Sequence, residues 1–176
     1  MKNIIKVMIL AGGLILFANT NSYALFDVSA YGGLTFSGEV DPDTDFKAIQ
    51  YGLKAHYNNS ILPLLELGLG AYYQQSKIKY ADSYSFDADA TKQSLGLDVN
   101  LIVSLPVIHP YGRFTYSIWD KCEDTTENFK AWGAGLGLEL TIIPFFRVFA
   151  EYMYDSADYD AKMTSSSANL GIKFDF

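Results

Sequence analysis

Apolar and polar residues alternate along most of the chain, most clearly between Ala131 and Tyr154. From Trp132 every second residue is apolar: Trp132, Ala134, Leu136, Leu138 and Leu140. Gly133, Gly135, Gly137, Glu139 and Thr141 stand between them. After Ile143-Pro144 the rhythm returns, with Phe146, Val148, Ala150, Tyr152 and Tyr154 set against Arg147, Phe149, Glu151, Met153 and Asp155. A period of two over about ten residues belongs to a β-strand with one apolar face. A short Pro-containing turn between two such strands predicts an antiparallel hairpin.

The interleaved residues decide which face is buried in what. A row of glycines exposed to water would weaken a strand with no compensating contact. Lining a narrow barrel, the same glycines leave room for Glu and Arg side chains. The apolar set, with Trp and Tyr at strand ends, then faces a nonaqueous phase, which is the pattern of a transmembrane β-barrel.

The rhythm recurs six more times. The predicted strands run from about Phe26 to Ser37, Phe46 to Tyr57, Leu64 to Gln75, Thr91 to Val103, Pro110 to Trp119 and Ser167 to Phe176. With the hairpin they number eight, an even count that lets a sheet close on itself with both termini at one end. The predicted fold class is all-β, an eight-stranded antiparallel up-and-down transmembrane β-barrel. Three connections are compact and Pro-centred: Leu62-Pro63-Leu64, Leu105-Pro106-Val107 and Ile143-Pro144-Phe145. Four are longer and polar: Gly38 to Asp45, Ser76 to Ala90, Asp120 to Asn128 and Asp155 to Ser166. Short turns at one end and long loops at the other match the two sides of an outer-membrane barrel. A soluble barrel of lipocalin type also has eight strands. It would need the apolar set inside and the glycines and charges outside.

Composition sharpens this picture. The chain has 176 residues, 49% of them apolar and 15% aromatic. No stretch after the N-terminal region holds eighteen consecutive apolar residues, so no helical span is predicted. The first 24 residues read as a cleavable secretory signal peptide. Lys2 and Lys6 precede an apolar run from Val7 to Phe17, and Ser22-Tyr23-Ala24 has small residues at the cleavage positions. Residues 25–176 would then form the barrel, exported to a bacterial outer membrane. Without Lys2 and Lys6 the chain keeps 11 basic and 20 acidic residues, a net charge of −9. That argues against nucleic acid as a partner. Cys122 is the single cysteine, so no internal disulfide forms. In its loop it is either a free thiol or an intermolecular link.

The charges on the glycine-bearing face form a pattern. Lys54 and Glu66 lie symmetrically about the first short turn, Asp98 and Arg113 about the second, Glu139 and Arg147 about the third. Lys173 and Asp27 sit where the last strand must meet the first. In registers centred on the turns each pair is cross-strand and opposite in sign. Four inward ion pairs are expected in the half nearest the short turns, with Glu151 a further acid near the centre. An eight-stranded barrel has just enough interior for side chains, so these residues are expected to plug the lumen.

Other chemistry is sparse. His56 falls on the lumen face near a turn and His109 in a turn; Ser117 faces the lumen nearer the other end. A hydrolase needs a nucleophile beside a base, and this spacing does not supply one. Asp41-Pro42-Asp43-Thr44-Asp45 begins like a calcium loop but lacks the later Gly and Glu, so it reads as a solvated acidic loop. Tyr80, Tyr84, Phe86 and Tyr159 are aromatics in the long connections. They either anchor a protein partner or extend the strands as ribs. No catalytic, cofactor or metal residues are expected.

The last strand carries a recognisable signature: Leu170, Ile172, Phe174 and Phe176 alternate up to a terminal Phe. It resembles the C-terminal assembly signal of outer-membrane β-barrel proteins, which their insertion machinery reads. Gly133-Ala134-Gly135-Leu136-Gly137, Glu151-Tyr152 and Pro110-Tyr111-Gly112 are similar to strands of small barrels of the OmpA/OmpX type. The resemblance implies outer-membrane lipid, lipopolysaccharide and the barrel-assembly machinery as partners. It also implies a barrel without the peptidoglycan-binding domain that follows many such barrels. The expected role is non-enzymatic: membrane integrity, or adhesin-like surface interaction with an extracellular protein partner through the long loops. The alternatives are a narrow channel for small solutes, a lipid-modifying barrel enzyme and a lipocalin-like carrier.

Overall fold

A computed structural model describes residues 25–40, 44–80, 90–122, 130–158 and 162–176. The expected signal segment lies outside them, as do residues 41–43 of the acidic loop, Tyr84, Phe86 and Tyr159. The described residues form eight strands: β1 (Phe26–Val40), β2 (Thr44–Leu62), β3 (Leu65–Tyr80), β4 (Ala90–Val103), β5 (Ile108–Cys122), β6 (Lys130–Ile143), β7 (Phe146–Asp158) and β8 (Lys162–Asp175). Each pairs antiparallel with its neighbour in sequence, and β8 pairs back with β1, closing the barrel. The seam extends to the terminal residue: Phe176 N–H donates to the Phe26 carbonyl at 2.8 Å.

The alternation sorts the two faces as the glycine argument requires. Leu136 and Leu170 point outward, 72% and 70% exposed, whereas Asp98 and Asp27 are inside at 0% and 1%. A water-soluble barrel would need the reverse. The outer face carries aromatic contacts near both ends. Phe26–Tyr57 and Phe146–Phe174 lie near the short turns, with ring centroids 5.3 and 5.2 Å apart. Trp132–Tyr154 and Phe36–Tyr152 lie toward the other end, at 5.9 and 6.0 Å. Two such girdles flank the apolar band of a membrane barrel.

The inward glycines have a specific use. Tyr31 lies directly opposite Gly52, Tyr72 opposite Gly96, Tyr111 opposite Gly137 and Phe149 opposite Gly171. At each glycine an added Cβ would collide with the facing ring. Odd-numbered strands thus supply a large ring and even-numbered strands an empty place for it. A fifth buried ring, Phe46 of β2, faces Gly38 of β1 in the reverse order; a narrow lumen holds its rings by leaving such places empty.

The strand ends depart from the sequence reading. Expected loops at Asp155 to Ser166 and Ser76 to Ala90 are partly strand, because β7 runs on to Asp158, β8 starts at Lys162 and β3 reaches Tyr80. At this loop end the inward row becomes apolar. Phe46, Ala48, Ile78 and Ala90 pack together inside, with Val40, Tyr80, Cys122 and Met163 against them. Register shifts in β1 between Thr35 and Gly38, and opposite Leu95 and Gly96 of β4, also break the phase there. A bulge inserts a residue and reverses which parity faces inward.

Candidate functional site

Glu151 on β7 is the centre of the lumen. Its Oε1 accepts from Arg113 Nη1 at 2.6 Å and from Asn169 Nδ2 at 3.1 Å. Its Oε2 accepts from Lys54 Nζ at 3.0 Å and from Tyr111 Oη at 2.8 Å. One carboxylate therefore gathers four donors from β2, β5 and β8, strands spread around the wall. The Lys54 ammonium also lies 4.2 Å from the centre of the Phe149 ring. Arg113 turns its other edge to Asp98, with Nε and Nη2 at 3.0 and 2.7 Å from Oδ2.

From Asp98 the network continues toward the short turns. His56 on β2 stands between two carboxylates, with Nδ1 at 3.0 Å from Asp27 and Nε2 at 3.4 Å from Asp98. Asn58 donates to Asp27 at 2.7 Å. Asp27 lies 3.6 Å from Lys173, and Lys173 lies 2.8 Å from Glu139. Glu139 also binds Arg147 at 3.0 Å, and Arg147 reaches Asp175 at 2.9 Å. An unbroken chain of charged side chains, bridged by the His56 imidazole between Asp27 and Asp98, thus runs from the rim to the middle of the barrel. Buried charges are tolerated only when paired and hydrogen-bonded in this way.

Three expected pairs meet inside: Asp98 with Arg113, Glu139 with Arg147, and Asp27 with Lys173. The registers differ from those expected. Arg113 lies directly opposite Asn100, Arg147 opposite Thr141 and Lys173 opposite Ser29. Each acid is two residues further along its strand, a diagonal that long side chains span. The expected Lys54–Glu66 pair does not form. The register about the first turn places Lys54 opposite Tyr72 and Glu66 opposite Ser60. Lys54 instead reaches across to Glu151, and Glu66, at the rim, accepts a bond from Ser104 Oγ at 2.5 Å. Asp175, Tyr111 and Asn169 were not anticipated in the network. Their inward parity was readable: Asn169 lies directly opposite Glu151 and Asp175 meets Arg147 on the adjacent strand, whereas Tyr111 reaches Glu151 on a non-adjacent strand, which leaves no mark on local spacing.

Toward the loop end the lumen is lined differently. Tyr31 Oη donates to Gln74 at 2.8 Å, Gln74 to Gln50 at 3.2 Å, and Gln50 to Asn169 at 2.6 Å. Tyr72 and Ser117 hydroxyls are 2.6 Å apart. Asp120 accepts from Ser94 and lies 3.5 Å from Lys92. Arg113, Gln50, Gln74 and Thr115 border a small cavity of about 40 Å³.

The candidates for catalysis are tied up in these contacts. Both ring nitrogens of His56 face carboxylates, and Ser117 bonds Tyr72. His109, expected in a turn, lies in β5 facing inward, with Nε2 at 2.8 Å from the Thr141 hydroxyl. Among the described residues no group of three or more His, Cys, Asp or Glu side chains could hold a metal ion.

A closed antiparallel barrel that is apolar outside and ionic inside is an integral membrane barrel. The profile of the outer membrane protein beta-barrel domain matches residues 8–176. The chain belongs to that family, whose place is the bacterial outer membrane. Among solved structures, it is similar to Neisserial surface protein A at 16% identity. That match covers 89% of this chain and all of the other, with a TM-score of 0.68. It is also similar to Ail, the attachment invasion locus protein of Yersinia pestis, at 15% identity over 85% of this chain and 98% of Ail, with a TM-score of 0.51. At these identities the likeness is one of fold. The search of curated proteins found no match.

Proposed function

We propose that the chain is a non-enzymatic outer-membrane barrel with a plugged lumen, acting through its loop end on the cell surface. The observation that carries this reading is Glu151, whose carboxylate ties Lys54, Tyr111, Arg113 and Asn169 together across the interior. A lumen spanned this way leaves the loop end as the part free to meet a partner. All four of its connecting segments carry net negative charge, two of them strongly. Gly38 to Asp45 has four acids and no basic residue, and Asp120 to Asn128 has four acids and one lysine. The solved Ail structure holds a heparin analogue, sucrose octasulfate. A polyanion of that kind would be repelled by these segments, so the partner chemistry favoured here is a basic protein surface. Leu170, Ile172, Phe174 and Phe176, which line the outer face of the closing seam, form the segment offered to the assembly machinery.

Conductance across a planar bilayer tests the plug. The refolded chain should stay at the lipid baseline, and stepwise openings would favour the narrow channel instead. Turnover of phospholipid acyl chains, abolished by His56→Gln, would favour the lipid-modifying enzyme. Orientation is tested on intact cells carrying Cys122→Ser/Lys162→Cys. A membrane-impermeant maleimide should label them, and labelling only after lysis would place the loop end inside.

A further inference from the structure

The connected ion network of the lumen is one charge out of balance. Its acids are Asp27, Asp98, Glu139, Glu151 and Asp175; its permanent cations are Lys54, Arg113, Arg147 and Lys173. Five against four leaves one negative charge over, in an interior where an unpaired ion is costly. His56 is the remaining member of the network, 3% exposed. Asp27 faces its ring from β1, and Asp98 and Asn100 face it from β4. From β3 it meets Gly68 and Gly70, and an added Cβ at Gly70 would collide with the ring. Lys54 and Asn58, its neighbours on β2, turn to Glu151 and Asp27. The nearest cations from other strands, Lys173 of β8 and Arg113 of β5, are bound to the same two carboxylates.

A neutral imidazole carries one N–H and one lone pair. Whichever tautomer forms, one of the two carboxylates faces the lone pair. An imidazolium has two N–H groups and a charge, so it answers Asp27 through Nδ1 and Asp98 through Nε2. The amide beside it agrees. Asn100 has Nδ2 at 3.1 Å from His56 Nε2, while its Oδ1 is buried without a hydrogen-bond partner. Turned over, the amide offers Oδ1 to the Nε2 proton, and the buried oxygen gains its donor.

We propose that His56 is the fifth cation of the network, an imidazolium held between Asp27 and Asp98 at neutral pH, and that its proton is a pH-sensitive clasp on the half of the barrel near the short turns. Folding takes up this proton wherever the unfolded chain lacks it. Below about pH 6.5 an unfolded histidine is protonated as well, and the clasp contributes in full. As the pH rises the unfolded chain releases its proton first. The folding equilibrium then weakens about tenfold for each pH unit until the native ring also lets go. Asp27 and Asp98 are left against an uncharged ring, and the ionic half loosens while the loop-end half keeps its neutral contacts.

The test uses the refolded chain in detergent micelles. His56 and His109 are the two histidines of the sequence, so His109→Gln with isotope-labelled histidine reports His56 alone. At about pH 8, where an ordinary histidine is neutral, its NMR spectrum should show both ring nitrogens protonated. A single protonated nitrogen at that pH would overturn the proposal. The second measurement is the stability to urea between about pH 6.5 and about pH 8.5, where the proton is released from the unfolded chain. The wild type and His109→Gln should lose about tenfold in the folding equilibrium per pH unit over this range. His56→Gln should start lower and change little. A fall of the same size in His56→Gln would overturn the clasp. Should gel mobility, unheated against boiled, show that His56→Gln does not fold, the spectrum of His109→Gln decides by itself.

Discussion

From Arg113 toward the short turns, the interior is ionic: nine charged or imidazole side chains link Lys54 to Arg147 in one connected series. From Arg113 toward the loop end, the same sheet presents Gln50, Gln74, Ser94, Thr115 and Ser117, then Phe46 and Ile78. Both halves fill an equally narrow space. In the loop-end half the linked side chains are neutral, apart from Asp120 beside Lys92, and a bond lost among them leaves a neutral group behind. In the ionic half each charge is buried against a particular counter-charge, so a loss leaves an uncompensated ion. Specificity of the interior is therefore concentrated in the half near the turns.

The sharpest way to break this contrast is at its hub. Glu151→Ala should destabilise the barrel by roughly 3–5 kcal/mol, because Lys54 and Arg113 lose their common partner. The measurement is the urea midpoint of the barrel in detergent micelles, followed by gel mobility. A loss no larger than that of a neutral-half variant would falsify the division. Next in size is overpacking: Gly137→Leu should cost about 1–3 kcal/mol where its side chain meets the Tyr111 ring. Tyr111→Ala in the same chain should recover part of that loss. Gln74→Ala, in the neutral half, should cost about 1 kcal/mol. Smallest is Glu66→Gln, expected at about 0–1 kcal/mol from its place at the rim. A double-mutant cycle sharpens the last point. Lys54 and Glu151 should couple strongly, Lys54 and Glu66 within error of zero.

The same contrast explains what could be read from the sequence. Eight strands and the sidedness of the sheet were legible because alternation is a local signal, repeated wherever Leu, Phe or Tyr faces lipid and Gly or a charge faces the lumen. It lapsed at the loop end, where Phe46 and Ile78 turn inward and the shifts in β1 and β5 reverse the parity. The ion pairs were legible only as far as a diagonal neighbour can stand in for a direct one. Glu139 still finds Arg147 with the register displaced by two. Lys54 fails because its partner is on β7, across the lumen, a distance in sequence that no turn relates to it.

The pairing of rings with glycines has a consequence for how the barrel comes together in time. Tyr31 with Gly52, Tyr72 with Gly96, Tyr111 with Gly137 and Phe149 with Gly171 each join consecutive strands. Each contact is therefore available as soon as one hairpin forms, before any other is present. The links from His56 to Asp98 and from Lys173 to Glu139 skip one strand and so wait for a second hairpin, and the link from Lys54 on β2 to Glu151 on β7 exists only once the cylinder is nearly complete. Local closure precedes distant closure when loop entropy is counted. The chain is thus four self-fitting units, and the ionic series acts as a late checkpoint that is satisfied only when all four have docked in the right order.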